Sequence, residues 1–370
     1  MSAVVGRGKR PNLVFSYFPK DEVLPMRKIT EPKTRGILAS NMPYVILFRR
    51  YFLALHLRFQ EMFRDLPIKI GIDCLSSDWN DLANYHLKVG SHGFDADAKS
   101  WDASVPVVFM KMALNFCNGM YQKLDPNWTA HDDTIRTAIH ACTEKPYVLV
   151  GTDVLQLPQG QVSGQPGTAF ENSFVNILLV VQCFINIMKL HNPHIASVSG
   201  FFKHVALSVY GDDMMVTLSA EVVEVFTIDK YAIEAAKYGF TITNAQKTAD
   251  IAVKAIPLEE LVFLKRHFVN IRGQWAGPIE LASIGKSVTF IRGSGSYFPK
   301  RDELGNIQWR VSLDLGLIRA NFESALRELS LHSEDLFYTY LEEVNRALID
   351  EDETPISAEF RGIQKIVGIF

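Results

Sequence analysis

Val205-Ala-Leu-Ser-Val-Tyr-Gly-Asp-Asp-Met-Met-Val-Thr-Leu218 is the stretch on which the reading of this 370-residue chain turns. Two short apolar runs, Val205 to Val209 and Met214 to Leu218, flank Tyr210-Gly-Asp-Asp213. Runs of this length around a glycine-containing tip predict a β-hairpin with an acidic turn. Adjacent carboxylates at a tip repel, and a cation or protonation relieves the cost. Alone, an ordinary Asp-rich turn explains these residues as well. The apolar flanks nevertheless place the tip at the edge of a buried sheet.

Two further stretches supply polar groups of matching kind. In Phe94-Asp-Ala-Asp-Ala-Lys-Ser-Trp-Asp-Ala-Ser104, Asp97 falls where a strand should end, well placed for a metal ligand. Asp102 follows five residues later, around the turn, and Trp101 reads as core packing. In Ser163-Gly-Gln-Pro-Gly-Thr-Ala-Phe-Glu-Asn-Ser173, a Gly/Pro-rich loop runs into a helix. Thr168 and Asn172, spaced i and i+4, share one face of that helix. The small residues at 163–167 let a backbone or a ligand approach closely.

The frame around these stretches is that of an ordinary globular protein, 48% apolar and 21% charged. Its four cysteines (74, 117, 142 and 183) form no CxxC pair, which argues against a disulfide framework or a structural zinc and fits a reducing compartment. The opening residues are polar and basic, unlike a signal peptide. The most apolar run, Phe174 to Met188, is interrupted by Asn176, Gln182 and Asn186 and is expected to be a buried helix, too short and polar to span a bilayer. Net charge is −3, but residues 1–50 carry ten Lys/Arg against three acids, +7, leaving −10 for the remainder. A basic segment beside an acidic body suits a protein that grips polyphosphate at one place and metal ions at another; a solvated basic tail has the same composition.

Helices are expected over Tyr44 to Leu57, after Pro106, from Gly167 to about Lys189, and over Val222 to Tyr238 ending at Gly239. A strand is expected at Tyr147 to Val150 inside a loop-like region, 124–160, and a hairpin over residues 257–275. Leu315, Ile318, Phe322, Ala325 and Leu329 form a helical stripe, and Ser333 can cap a further helix carrying Leu336, Tyr340, Val344 and Ala347.

Taken in order, these stretches resemble the RNA-dependent RNA polymerases of positive-strand RNA viruses, especially the picornavirus-like group. Asp97-x4-Asp102 is similar to their motif A, Ser163-Gly-x3-Thr168-x3-Asn172-Ser173 to motif B, and Tyr210-Gly-Asp-Asp213 to motif C. Tyr238 to Lys247 resembles motif D, Phe263-Leu-Lys-Arg266 motif E, and Lys20-Asp-Glu with Lys28 and Lys33-Thr-Arg35 motif F. The resemblance implies an α+β, right-hand architecture: partial fingers over 1–55, a palm with an antiparallel sheet over 56–268 with a fingers return near 120–160, and a helical thumb over 269–370. It implies RNA-directed RNA polymerase activity with two Mg²⁺ ions, replaceable by Mn²⁺, held by Asp97, Asp212 and Asp213. Lys247 would protonate the leaving pyrophosphate. Lys20, Lys28, Lys33 and Arg35 would bind the triphosphate, and Asp102, Ser163, Thr168 and Asn172 the ribose. Lys265 and Arg266 would steady the primer. The implied partners are an RNA template and primer, nucleoside triphosphates, and other viral replication proteins or a protein primer, in membrane-associated replication complexes of the host cytoplasm. The family's long segment before motif F, with its motif G, is expected to be missing here.

Rival readings fit fewer residues. A reverse transcriptase shares the Asp-Asp hairpin but excludes the 2′-OH with an aromatic side chain, where this sequence offers Asp102 and Asn172. A haloacid dehalogenase-type phosphatase would use Asp95-Ala-Asp97, but Lys99 stands where Thr or Val is expected and the 163–172 stretch has no role. An inactive RNA-binding remnant is the third reading.

Overall fold

The acidic stretch folds as the hairpin its pattern predicts. The structure, a computed structural model, describes the chain apart from residues 21, 23–29, 31–33, 244–253, 290–296, 302–306, 312–314, 351 and 370. Lys28, Lys33 and Lys247 lie outside the described residues. The described chain forms two compact units, residues 1–72 with 84–264, and residues 73–83 with 265–370.

In the first unit the strands are β1 (Val14–Pro19), β2 (Gly36–Ala39), β3 (His92–Ala98), β4 (Tyr147–Val150), β5 (Asp153–Gln156), β6 (Val205–Tyr210), β7 (Asp213–Leu218), β8 (Ile242–Thr243) and β9 (Ile256–Pro257). The helices are α1 (Ser2–Val5), α2 (Met42–Glu61), α3 (Asp78–Leu87, which begins in the second unit), α4 (Trp101–Ser104), α5 (Val107–Leu124), α6 (Ala130–Glu144), α7 (Thr168–His191), α8 (Val198–His204) and α9 (Ile228–Ala236).

Two sheets result. One has the order β6-β7-β3-β8, with β9 sharing the β8 edge of β3. All its pairings are antiparallel, with Ala96 opposite Met214 and Tyr210 opposite Asp213. The other, β2-β1-β4-β5, joins the basic N-terminal segment to residues 147–156 through a parallel β1–β4 pair.

The main core lies between the first sheet and helices α5, α7 and α9. Phe94, Ala96 and Ala98 of β3 enter it, as do Val205, Leu207 and Val209 of β6 and Met214, Val216 and Leu218 of β7. Alternation along a strand sends the intervening residues, including Asp95, Asp97 and Asp213, to the opposite face. Helix α7 runs along the apolar side, with Phe174, Leu179, Val180, Cys183 and Phe184 buried. Among the described residues α7 is also the one helix long and apolar enough to cross a bilayer by length and composition. The run is thus longer than the sequence reading allowed, because helical residues on both sides extend it. Within this fold it packs in the core.

Three other expectations change. Residues 124–160 contain a full helix, α6, whose start is fixed by a reciprocal capping box between Thr129 and Asp132. The helix expected from Val222 begins only at Ile228; Val222 and Phe226 keep helical spacing but reach the core from turns. The hairpin expected over 257–275 is divided. Residues 256–257 pair with β3, whereas β10 (Val269–Ile271) and β11 (Gln274–Ala276) form their own ladder in the second unit.

The rest of the second unit holds α10 (Leu281–Thr289), a two-stranded ladder of β12 (Tyr297–Arg301) and β13 (Ile307–Val311), then α11 (Leu315–Leu329), α12 (Glu334–Asp350) and α13 (Phe360–Ile366). Ser333 caps α12, its hydroxyl accepting from the Leu336 N–H at 3.2 Å. Ala325, Leu329, Phe337, Leu341, Val344 and Phe360 form this unit's helical core.

Candidate active site

A two-residue turn carries the acidic tip. Gly211 takes φ +66° between the paired residues Tyr210 and Asp213, so the turn bends in the sense that suits a right-twisted hairpin. Helix α7 grips this turn. Ser173 Oγ accepts the Gly211 N–H at 2.9 Å, and the Asn176 amide donates to the carbonyls of Gly211 (3.3 Å) and Asp212 (3.2 Å). The backbone of the tip is therefore fixed from the helix that follows the Gly/Pro-rich loop, leaving the Asp212 side chain exposed.

Asp97, Asp102, Ser163 and Asp212 line one cavity of ≈ 840 Å³, together with Lys20 and Arg35. Asp97 lies near the end of β3, where Thr243 Oγ1 donates to its carbonyl at 3.2 Å. Lys20 and Arg35 face each other where β1 ends and β2 begins, and the Lys20 N–H donates to the Arg35 carbonyl at 2.7 Å. Both basic side chains meet Glu22, at 3.7 Å from Lys20 and 2.5 Å from Arg35. That hydrogen bond with Glu22 raises the Arg35 guanidinium above its ordinary value; Asp212 and Asp102 add to it across the cavity.

The acids are crowded. Burial pushes the Asp213 carboxyl up to about 7, opposed by the Leu264 N–H and reinforced by Asp212, Asp97 and Asp95. Asp213 accepts that N–H at 2.8 Å from a residue held at φ +54°, a backbone state uncommon outside glycine. The cavity walls raise the Asp102 carboxyl, and Asp212 raises it further, against the pull of Asn172 and Arg35. Asn172 Nδ2 donates to Asp102 Oδ1 at 3.4 Å, and Asn172 Oδ1 is buried without a partner among the described residues.

The other expected residues are placed differently. The Thr168 hydroxyl donates to the carbonyls of Val162 and Gln165, each at 2.9 Å, so it ties the loop to the helix. Ser163 Oγ accepts the Leu38 N–H at 3.2 Å while also lining the cavity. Lys265 and Arg266 belong to the second unit. Lys265 is exposed. Arg266 is buried, its guanidinium bonded to Glu328 (2.8 and 2.5 Å) and to the Gly277 carbonyl (2.6 Å). It serves to build that unit instead of offering a free cation at its surface. Trp101 is core, its ring tilted by 37° against that of Phe240 at 5.0 Å.

The sequence assigned no role to Glu171 or Asn176; Ser173 entered only as the last residue of a motif and Asp95 only in the phosphatase reading. Asn176 registered only as an interruption of an apolar run, although a polar residue three positions after Ser173 on a buried helix signals a bonded partner. Asp95, 7% exposed, accepts the Val262 N–H at 2.8 Å and so anchors the segment that delivers Leu264 to Asp213.

The sequence profile of the viral RNA-dependent RNA polymerases matches residues 2–345. The chain belongs to that family. It is 32% identical over 331 residues to the RNA1 polyprotein of Grapevine fanleaf virus, covering 89% of this chain and 13% of the polyprotein. The RNA1 polyprotein of Cherry rasp leaf virus (isolate Potato/United States) is 30% identical over 295 residues, 77% of this chain and 13% of that polyprotein. The chain thus spans only about an eighth of these relatives. In fold it matches a Sicinivirus 3Dpol RNA dependent RNA polymerase, with TM-score 0.76 and 18% identity over 99% of this chain and 69% of that one. The architecture is that of a right-hand viral polymerase.

Polymerases of this family work with divalent metal ions. Among the described residues no three of His, Cys, Asp and Glu form a ready-made metal cage. A divalent ion such as Mg²⁺ does not require one, since it is bound through one or two carboxylates together with waters and substrate phosphates. The hard oxygens of Asp97 and Asp212 in one cavity, beside an Asp213 raised by burial and then by its acidic neighbours, fit such an ion.

Proposed function

We propose that this chain carries out templated nucleotidyl transfer from nucleoside triphosphates to an RNA 3′-OH, for replication and transcription of a viral RNA genome. The observation that carries the reading is the single cavity in which Asp97, Asp102 and Asp212 face Lys20 and Arg35. Phosphoryl transfer needs alignment and charge neutralisation more than covalent participation, and this arrangement supplies both signs of charge around one space.

Asp97 and Asp212 would hold two Mg²⁺ ions, with Asp213 as accessory ligand; when bound, these ions activate the 3′-OH and neutralise charge on the triphosphate. Lys20 and Arg35 bind the triphosphate, whose oxygens compete with the Glu22 carboxylate for the Arg35 fork. Asp102 and Asn172 meet the ribose, and the unpartnered Asn172 Oδ1 supplies an acceptor for that network. Lys265 steadies the primer strand. Lys28 and Lys33, as further triphosphate contacts, and Lys247, as the acid for pyrophosphate departure, rest on the sequence resemblance alone. The same holds for fingers over 1–55, palm over 56–268 and thumb over 269–370, for initiation with a protein primer, and for action within membrane-associated replication complexes.

Primer extension on two RNA templates of different sequence tests this function. With Mg²⁺ or Mn²⁺, the nucleotide added should follow the template base. Addition that ignores the template, or phosphate release without extension, would overturn the proposal.

A further inference from the structure

Helix α7 opens with two polar residues that point to different places. Asn172 reaches the Asp102 carboxylate. Glu171, one position earlier, turns about 100° away around the helix and buries its carboxylate against the preceding loop, at 8% exposure. There a single oxygen, Oε2, accepts two side-chain amides, from Gln161 at 2.7 Å and Gln165 at 2.6 Å. These are the two glutamines on either side of Ser163.

Each glutamine has a second attachment. The Gln161 main-chain N–H donates to the Asp102 carbonyl at 2.6 Å. Gln165 Oε1 accepts the hydroxyl of the fully buried Tyr44 at 3.3 Å. On its outer side the same loop is pinned to β2, by Gly164 N–H to the Leu38 carbonyl at 3.1 Å and by Ser40 Oγ to the Gly164 carbonyl at 3.1 Å. A Cβ on Gly164 would lie 2.4 Å from the Leu38 oxygen, so only glycine permits this approach. His140 stands 3.8 Å from the other Glu171 oxygen and 3.3 Å from Glu144.

Asp102 is thus held twice from one helical turn. Its side chain is met by Asn172, and its carbonyl by Gln161, whose own side chain Glu171 fixes. A buried carboxylate is costly unless bonded, and here its bonds are spent on one loop. Core packing alone would be served by an apolar residue at this position.

We propose that Glu171 is a positioning residue for sugar selection. It fixes the Gln161–Gln165 loop, and through it the placement of Asp102 and Ser163 toward the ribose. The inference rests on the polymerase reading above. Misplacing a contact by about 1 Å is enough to cost on the order of a hundredfold in a reaction that depends on orientation. Loss of one amide contact should give a part of that.

The test is single-nucleotide incorporation with ribo- and deoxyribonucleotides, comparing kcat/KM for the two sugars. Glu171→Gln keeps the size of the side chain but replaces the charged oxygen shared by the two amides with a neutral one, a weaker acceptor. It should lower the ribose preference on the order of tenfold, almost all of it in the ribonucleotide. Gln161→Met should act in the same direction. Combining Gln161→Glu with Glu171→Gln restores an acceptor–donor set and should recover most of the preference. Thermal unfolding of each variant accompanies the kinetics, and Gln161→Met provides the comparison if Glu171→Gln fails to fold. Equal loss with both sugars, leaving the ratio unchanged in Glu171→Gln or Gln161→Met, would overturn the inference alone. A wild-type chain that incorporates neither sugar would overturn the polymerase reading and the inference with it.

Discussion

The β6-β7-β3 sheet is buried on both faces, and the two faces are built from different chemistry. On one, Leu207, Val209, Val216 and Phe94 meet α7 and α9 in an apolar core. On the other, Ser208 and Thr217 meet the fully buried His86, at 2.7 and 3.1 Å. Farther along the same face come Asp95, Asp97 and Asp213. The first face is non-directional and tolerates changes of shape that keep volume. The second is a chain of specified bonds. Burial holds the His86 imidazole well below its ordinary value, with Lys69 adding to the effect, so the ring works there as a neutral donor–acceptor pair. The lesson is that the acids of the tip do not project from a uniformly greasy sheet: their own face sets bonded polar groups beside the buried Met215 and Ala206.

Stability measurements can break that comparison. On the apolar face Phe184→Ala, at a fully buried ring with Phe201 and Phe226 within 5.3 Å, should cost about 3–5 kcal/mol in denaturant unfolding. Phe184→Leu should cost much less. On the polar face His86→Leu keeps apolar bulk but leaves the Ser208 and Thr217 hydroxyls without the ring, and should cost about 2–3 kcal/mol. If His86→Leu proved neutral, the polar face would be ordinary packing after all.

Asn176→Ala sharpens the contrast where the faces meet at the tip. It removes both bonds to the Gly211 and Asp212 carbonyls and should cost about 1–2 kcal/mol, with a larger fractional loss of nucleotide incorporation than of stability. Incorporation at the wild-type rate would show that the turn holds itself.

At Lys69, 1% exposed, the expected effect is one of pH: its ammonium donates to the Phe63 carbonyl at 2.9 Å and lies 3.8 Å from the Tyr85 ring centre. Burial pushes it down from 10.5 to about 7, with Asp65 pulling the other way. With its folded value below the unfolded one, the unfolded chain binds the extra proton. Its contribution to stability is therefore full above about pH 10 and declines as the pH falls toward 7. Lys69→Met should flatten that slope in unfolding curves measured across the interval; an identical slope would show the ammonium is not penalised.

How much of this could be read beforehand follows from the same contrast. The apolar face was legible: alternation in Val205–Leu218 and the helical run after Gly167 give the hairpin and α7, and Asp97, Asp102 and Asp212 were recognisable by order and spacing. The bonded face was not. His86 carries no local sign of its partners, because Ser208 and Thr217 lie more than 120 residues away in sequence. Glu171 and Asn176 stand inside an apolar helix, where periodicity marks them only as interruptions. Helix α6 was legible in principle, since Thr129-x-x-Asp132 is followed by Ile135, Ala138, Ile139 and Cys142 at helical spacing; the polar residues around it suggested a loop. Arg266 shows the opposite difficulty. A basic residue in a familiar pattern suggested an RNA contact, and only its distant partner Glu328 reveals a buried pair.

The central claim is that the cavity's carboxylates support templated RNA synthesis. It is tested most directly by single-nucleotide incorporation on a primed RNA template with Mg²⁺, comparing the wild-type chain with Asp212→Ala. The substitution shortens an exposed side chain on a turn whose backbone is held independently by Ser173 and Asn176, so the fold should persist by thermal unfolding. The account predicts incorporation by the wild type that falls to background in Asp212→Ala. Extension that survives the substitution would contradict it.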